Sequence, residues 1–438
     1  MTSLASNAEL IHERTARLVP GGTHSNSRLR DPRPLYLERA EGPYVWDVDG
    51  TRYLDCTMGN GAIMLGHAHP GVTEAVTSAI ASGLTTGYES RLALEVAELL
   101  AEIVPGFGRV RFANTGTEAA MHALHVARAA TGKEGVAKME GAYHGWHDSL
   151  WVSCWGAPHA IGPAHAPASP PGSGGLSRHA AETLVLPFND VTATECLLRA
   201  RAADLAVVFV EPVMIDLGWI PARREYLETL RELTAELGIL LLFDELLTGF
   251  RLAPGGAREW YGIAPDLTLY GKALGNGYPI AALEGRADLL ALTDPLDGGP
   301  VSYVGTFNGH AVAVAAAVGS LSALADGSAQ AHLQRLTERL ADGLLRLGDR
   351  YGVDVVPAGG GGHFQPYFTR QSVEDYRSAL SSSPAHYAAF AGALARRNIL
   401  VAEKPLLHSA LSAAHTEEHV DEIVGAAEEA FAEIAREG

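Results

Sequence analysis

The middle of the chain alternates between two hydrophobic periods. Glu118–Thr131 repeats its apolar residues at helical spacing, and Val136–Met139 reads as a short strand. Leu205–Val210 (LAVVFV), Ile239–Phe243 (ILLLF) and Leu267–Tyr270 (LTLY) are uninterrupted apolar runs, the pattern of strands buried on both faces. Tyr226–Leu237 is helical, with Gly238 as its stop. Strands alternating with helices in this way predict a parallel sheet covered by helices, an α/β class fold. Near the N-terminus, Pro43–Asp55 alternates around Asp49-Gly50, which predicts a hairpin. After His310 the pattern turns helical. Short strands are predicted near Val353–Val356 and Phe364–Phe368, and a last helix after Thr416, whose apolar face is Val420, Ile423, Val424, Ala427 and Phe431. The expected organisation is an N-terminal segment (1–70) docked on a C-terminal small domain (311–438), with a large α/β domain (71–310) between them. Gly156–Ser177, rich in Pro, Gly, Ala and His, breaks the periodicity and predicts a long loop.

Composition narrows the function classes. Hydrophobic residues make up 47% of the 438 positions and charged ones 19%, enough apolar surface for a large core and incompatible with disorder. The formal charge of −18 argues against nucleic acid as a partner, because phosphate binding requires a basic face. Cys56, Cys154 and Cys196 form no C-x-x-C pair, and an odd count suits a reducing compartment. The first residues lack the apolar run of a leader, and the Ala/Val-rich run after His310 is broken by Gly and Ser and reads as a buried helix. The expectation is a cytoplasmic protein with no membrane contact.

Four positions carry candidate chemistry. Asp244 directly follows ILLLF, at the end of a strand where α/β proteins bind ligands; a structural helix cap is the alternative. Lys272 follows LTLYG at the end of the next predicted strand, as a snorkelling side chain or a functional amine. A carboxylate able to pair with a pyridinium nitrogen and an amine able to bond an aldehyde are the minimum equipment for pyridoxal phosphate. No glycine-rich loop precedes Lys272, so GKALG is not a nucleotide phosphate loop, and no G-x-G-x-x-G supports a nicotinamide cofactor. Thr115-Gly116-Thr117 opens a predicted helix and offers either a phosphate site or an ordinary capping turn. Tyr143 and His144 follow a strand, where an aromatic ring could stack on a flat cofactor or fill the core. The spacings of His144 with His147 and of His67 with His69 match no zinc signature, so no metal is expected.

These residues lie within ordered blocks: VPGG, YVWDVDG, LGHAHP, RFANTGTEAAMHALHVARAATG, GAYHGWHDSL, VEPV, LLFDELLTGFR, PDLTLYGKALGNGYPIAALEGR, GTFNGHAVAVAAA and AHTEE. Through them the chain resembles the class III pyridoxal-phosphate aminotransferases of fold type I, in particular the glutamate-1-semialdehyde aminomutases and the β-amino-acid aminotransferases. The resemblance implies that Lys272 bonds the cofactor aldehyde and shuttles the proton, and that Asp244 keeps the pyridine nitrogen protonated. It implies that Thr115, Gly116 and Thr117 hold the phosphate and that Thr306 reaches the phosphate of a neighbouring subunit in a homodimer. Tyr143 and Leu246 would cover the two ring faces, with His144 beside Tyr143, and Glu211 would lie near the cofactor. Arg28 would grip a substrate carboxylate. Two departures bear on the substrate: Gly59-Asn60 stands where the aminomutases have Ser-Trp, which brings Asn60 to the substrate, and Leu407, followed by His408, stands where they have a glutamate. GTFN and RLAPGG (Arg251–Gly256) look like the β-amino-acid branch. The implied activity is amino transfer between an amino acid or amine and a keto or aldehyde acceptor, one of them a carboxylate and the donor in that branch a β-amino acid. The alternative is intramolecular amino transfer by an aminomutase or racemase.

Overall fold

The computed structural model describes residues 6–172 and 182–437. Its central sheet has seven strands in the spatial order Arg109–Ala113, Ala281–Gly285, Leu267–Tyr270, Leu240–Glu245, Leu205–Val210, Gly135–Met139, Thr183–Leu186. The last five are mutually parallel; Ala281–Gly285 runs antiparallel to both of its neighbours. Every residue of Leu205–Val210 is buried, as an uninterrupted apolar run requires of a strand covered on both faces. The Leu240–Glu245 strand continues past the apolar run expected at Ile239–Phe243, so Asp244 and Glu245 belong to the ladder, opposite Leu269 and Tyr270.

One buried ion pair ties this sheet to its covering layer. Arg258, in the Gly256–Tyr261 helix, donates to Glu284 at 2.7 Å and to Thr268 Oγ1 at 2.9 Å, and the two charged side chains are 5% and 1% exposed. Removing one partner leaves a buried charge without compensation. Glu284→Leu is therefore expected to lose about 3–5 kcal/mol in urea unfolding, and Arg258→Met/Glu284→Leu to recover most of it. A double variant as weak as the single one would show that the pair is not what holds this corner.

The two chain ends meet. Leu37–Glu41, Tyr44–Asp47 and Arg52–Asp55 form an antiparallel meander, and Ile399–Leu400 adds to it parallel to Arg52–Asp55. The C-terminal hairpin pairs Val356–Gly360 with His363–Tyr367, so the first strand lies about three residues later than the apolar runs suggested and the second one residue earlier. The turn decides this. Gly361 and Gly362 both have positive φ (53° and 89°), which fixes a two-residue turn and pairs Gly360 with His363. The last helix, Glu417–Glu437, buries Val420, Ile423, Ala427 and Phe431, while Val424 packs tightly on Gly343 of the Ser328–Tyr351 helix. The Ala/Val-rich run forms Ala311–Leu324, a largely buried helix, and among the described residues no single helix is long and apolar enough to cross a membrane. Of the Gly156–Ser177 stretch, residues 156–172 are loop, bridged at Val152–Pro171; residues 173–177 lie outside the described residues.

Candidate active site

The parallel strands deliver their carboxyl-terminal residues to one edge of the sheet. Asp244 stands second from the end of its strand and is 3% exposed. Its Oδ2 lies 2.7 Å from Nδ1 of His144, and its Oδ1 accepts the Leu246 N–H at 3.1 Å. His144 is fully buried, and burial pushes its pKa down, so the ring is neutral. A neutral ring that donates from Nδ1 carries its lone pair on Nε2, and Nε2 has no hydrogen-bond partner. The ring packs against Phe209, with centroids 5.5 Å apart. His144 thus fixes one carboxylate oxygen of Asp244 and brings no charge of its own.

Glu211 follows the Leu205–Val210 strand and accepts the Tyr143 N–H at 3.3 Å. Its pKa is raised well above the usual carboxylate range, first by burial and then by the carboxylates of Asp216 and Asp244. Like charges confined together cannot all ionise, so the shared proton resides on Glu211 and makes it a hydrogen-bond donor.

Lys272 opens the short Lys272–Gly275 helix, two residues beyond Tyr270 on the strand next to Asp244. Its φ of 47° is left-handed, unusual for a residue with a side chain and a form of backbone strain typical of functional positions. Gly271, just before it, allows a close approach: a Cβ there would lie 2.6 Å from Leu246 Cδ2. On the other side of Leu246, a Cβ on Gly116 would lie 2.4 Å from Cδ1. Leu246 is wedged between the lysine turn and the N-terminus of the Gly116–Thr131 helix. Thr115 caps that helix by accepting the Glu118 N–H at 3.1 Å, and Glu118 folds back onto the backbone and side chain of Asn114. Gly116→Ala is expected to cost about 1–3 kcal/mol in thermal unfolding through overpacking, and Gly116→Ala/Leu246→Ala to regain part of it. Strictly additive losses would refute the wedge.

Tyr143 is held from three sides. Its ring stacks on Trp155 (centroids 5.5 Å apart, planes 24° apart) and meets Trp151 edge-on, and its phenol, pushed up to about 12 by burial and the nearby Asp216 charge, bonds Thr117. The loop that carries it is organised by Lys138, which the sequence reading passed over. This lysine is completely buried in the Gly135–Met139 strand and donates to the carbonyls of Ala142 at 2.5 Å and Val152 at 2.6 Å. A lysine inside an apolar strand was the available signal.

Asp244, His144, Glu211, Tyr143, Thr117, Gly116, Leu246 and Lys272 therefore converge. Two expected residues, Thr306 and Arg28, do not join them within this chain. Thr306 is exposed, its carbonyl bonded by the Thr86 hydroxyl. Arg28 is exposed and lines an open cavity of about 650 Å³ with Tyr36, Asp55, Thr57, Gly59 and His67; neither Lys272 nor Asp244 lines it. Asn60 belongs to four consecutive residues with positive φ, Met58 to Gly61 (44°, 62°, 55°, 76°). Left-handed runs of this kind are costly for residues other than Gly and Asn. This one is fastened by Arg251, almost completely buried, which donates to the carbonyls of Gly61 and Gly361. Sequence reasoning also missed Arg251, Asp216, His363 and His408.

The residues fit pyridoxal phosphate. A buried carboxylate braced by His144 and the Leu246 N–H, a lysine on the adjacent strand end, a helix N-terminus and two glycines that leave room beside them form the donor set that this cofactor requires. Sheet order and site together define a fold type I pyridoxal-phosphate enzyme. The model of the class III aminotransferase family matches residues 26–371, and the chain belongs to that family. It is 38% identical to a glutamate-1-semialdehyde 2,1-aminomutase of Chloroflexus aurantiacus, over 99% of this chain and 98% of that protein. Among solved structures it is similar to an omega-transaminase from Sphaerobacter thermophilus (34% identity, TM-score 0.93, 99% of each chain). It is also similar to a transaminase with pyridoxal phosphate bound (29% identity, TM-score 0.88, 98% of each chain). Pyridoxal phosphate is the cofactor.

Proposed function

We propose that the protein transfers an amino group on a carboxylate-bearing substrate and that its first activity is intramolecular, an aminomutase reaction of the glutamate-1-semialdehyde kind. The observation that carries this is the 38% identity to such an aminomutase over 99% of the chain. It reverses the order in which the sequence ranked the two outcomes, intermolecular transfer first.

Bound pyridoxal phosphate supplies an electron sink for the carbanion next to the transferred nitrogen. The chain's own groups do the rest. Lys272 would offer the amine that bonds the cofactor and would carry the proton. Asp244, braced by neutral His144, would face the ring nitrogen, and Glu211, whose proton is held by burial and neighbouring carboxylates, would offer a hydrogen to a ring oxygen. Thr115, Gly116 and Thr117 hold the phosphate at the helix N-terminus, where free N–H groups and the dipole favour an anion. Tyr143 and Leu246 confine the ring. Arg28, whose cavity does not include Lys272 within one chain, would take the substrate carboxylate in bidentate fashion where a neighbouring subunit brings the two together, and Asn60 would border the substrate.

A homodimer completes the site in this reading. Exposed Val304 and Phe307 flank Thr306, and exposed Leu84 and Tyr88 flank its partner Thr86. That apolar surface supports a subunit contact through which Thr306 reaches the neighbouring phosphate. The second reading, intermolecular transamination, is favoured by the 34% identical omega-transaminase and by the two departures from the aminomutase pattern, Gly59-Asn60 in place of Ser-Trp and Leu407 in place of a glutamate.

One experiment separates the two. Loaded enzyme is given glutamate-1-semialdehyde with and without a keto acid. An aminomutase forms the amino-shifted isomer without consuming the keto acid. Release of a deaminated product in step with keto-acid consumption overturns the first reading in favour of the second.

A further inference from the structure

Tyr143 and His144 share one loop, which leaves the central sheet at Glu140 and runs back past Trp155. Both ends of that loop are gripped by two consecutive residues from a distant part of the chain, Tyr376 and Arg377, in the short helix Tyr376–Ala379. At the first end, Arg377 donates to both carboxylate oxygens of Glu140, from Nε at 2.8 Å and from Nη2 at 2.7 Å, and Glu140 is 4% exposed. The Tyr376 ring lies against the next residue: a Cβ on Gly141 would come within 2.7 Å of its Cγ. At the second end, the Tyr376 hydroxyl donates to the Gly156 carbonyl at 2.6 Å, one residue beyond the Trp155 on which Tyr143 stacks. Arg377 Nη2 also donates to the Ile161 carbonyl at 3.0 Å. The Gly141 N–H donates to the Ser153 carbonyl at 2.9 Å, so the two ends also bind each other. The helix that grips them is itself fixed. Asp375 accepts the Ser378 N–H at 2.7 Å, Glu374 pairs with Arg223, and Asn189 donates to the Glu374 carbonyl at 2.8 Å.

We propose that Tyr376 and Arg377 are positioning residues for the cofactor: by clamping both ends of the Tyr143 loop, they set how closely Tyr143 covers the ring. This rests on the reading that Tyr143 lies over one ring face. The physical reason is the fork. A guanidinium bonded to both oxygens of a carboxylate fixes distance and angle together, which a point charge does not. Glu140 stands only three residues before Tyr143 and four before His144, so little chain is left to absorb a shift. A loop released from the clamp would disturb the Tyr143 ring, the Tyr143 N–H on Glu211 at 3.3 Å and the His144 contact to Asp244 at 2.7 Å together. Lys138 holds the same loop through the Ala142 and Val152 carbonyls, which keeps it folded but leaves its two ends to Tyr376 and Arg377.

The test uses two readouts besides turnover. Visible circular dichroism of the holoenzyme reports how asymmetrically the cofactor ring is enclosed. Hydrogen exchange over residues 141–156, in the full-length protein without cofactor, reports the loop alone. Glu140→Gln/Arg377→Met removes both charges together, so no buried charge is left unpaired and the fold is kept. Tyr376→Phe removes one hydroxyl and keeps the ring on Gly141. Each should lower the dichroic band by about twofold or more, speed exchange over 141–156 by about tenfold and lower kcat by about tenfold, as a small misplacement of a positioned group does. Arg377→Lys supplies the charge without the fork, and should match the unsubstituted enzyme in thermal midpoint while its dichroic band stays reduced. A merely structural pair would instead be restored in full by lysine. Full restoration of the band in Arg377→Lys, or a band and exchange rates that neither of the other variants changes, overturns the proposal. Tyr143→Ala tests the reading beneath it: an unchanged band there would take Tyr143 off the ring, whereas exchange in the cofactor-free protein judges the clamp independently.

Discussion

Replacing Lys272 with alanine is expected to remove the yellow absorbance of the loaded enzyme, its bleaching by borohydride, and turnover together. The rate should fall by on the order of 10⁴-fold or more, since both the covalent attachment and the proton carrier are lost. The fold should survive. Lys272 makes no ion pair among the described residues and is only partly buried, so its removal leaves no uncompensated buried charge. The pairing of effects matters. A variant that loses turnover but keeps a borohydride-sensitive chromophore would assign the attachment to another lysine. Lys138 cannot take that part without breaking the loop that carries Tyr143, because its amine is already committed to the Ala142 and Val152 carbonyls.

The second large effect is expected at Asp244. Asp244→Asn keeps the shape and can still accept the Leu246 N–H, its amide NH2 then facing His144, whose ring must move its proton to Nε2 to accept it; the substitution removes the carboxylate that stabilises a protonated ring nitrogen. A loss of on the order of 10²- to 10³-fold in kcat, about 3–4 kcal/mol of transition-state stabilisation, is expected with little change in KM. Thermal stability should hold or rise, because a buried charge has been replaced by a neutral amide. Glu211 gives an independent readout: the Asp244 charge is one of the causes that hold its proton in place. With that charge gone, the pKa of Glu211 should fall while burial and Asp216 still hold it raised, seen as a shift in any pH-dependent change of cofactor absorbance relative to the unsubstituted enzyme. An unchanged kcat would mean that the ring nitrogen is served by a different group.

Much of the fold was legible because burial on both faces leaves a mark in the chain. LAVVFV and LTLY could be little else than central strands, and Gly238 ends its helix at φ 62°, as an αL stop does. The misreadings lie where apolar runs were the wrong signal. The strand carrying Asp244 runs two residues further than its hydrophobic part, since ladder hydrogen bonds do not depend on side-chain polarity. The C-terminal hairpin was misplaced because its register comes from two glycines in a turn. Asp244, Lys272 and the Thr115–Thr117 turn were found because each follows or opens a recognisable element. Asp216, His408 and Arg251 were not, because each sits in an irregular segment with no periodicity, and His363 was not, because the register of its strand is set by a glycine turn; all four acquire their meaning only from distant partners.

The sequence by itself determined the class: an alternating α/β order with a carboxylate and a lysine at adjacent strand ends, within blocks shared by one family of pyridoxal-phosphate enzymes. Those facts are local, set by hydrophobic period and residue type. The tertiary structure decided which groups are charged. Burial keeps His144 and His408 neutral, and burial with the neighbouring carboxylates of Asp216 and Asp244 raises Glu211 so that it holds its proton more tightly. Protonation depends on burial and on charges brought together from residues 144, 211, 216, 244 and 408, and only the folded chain brings them into one low-dielectric space.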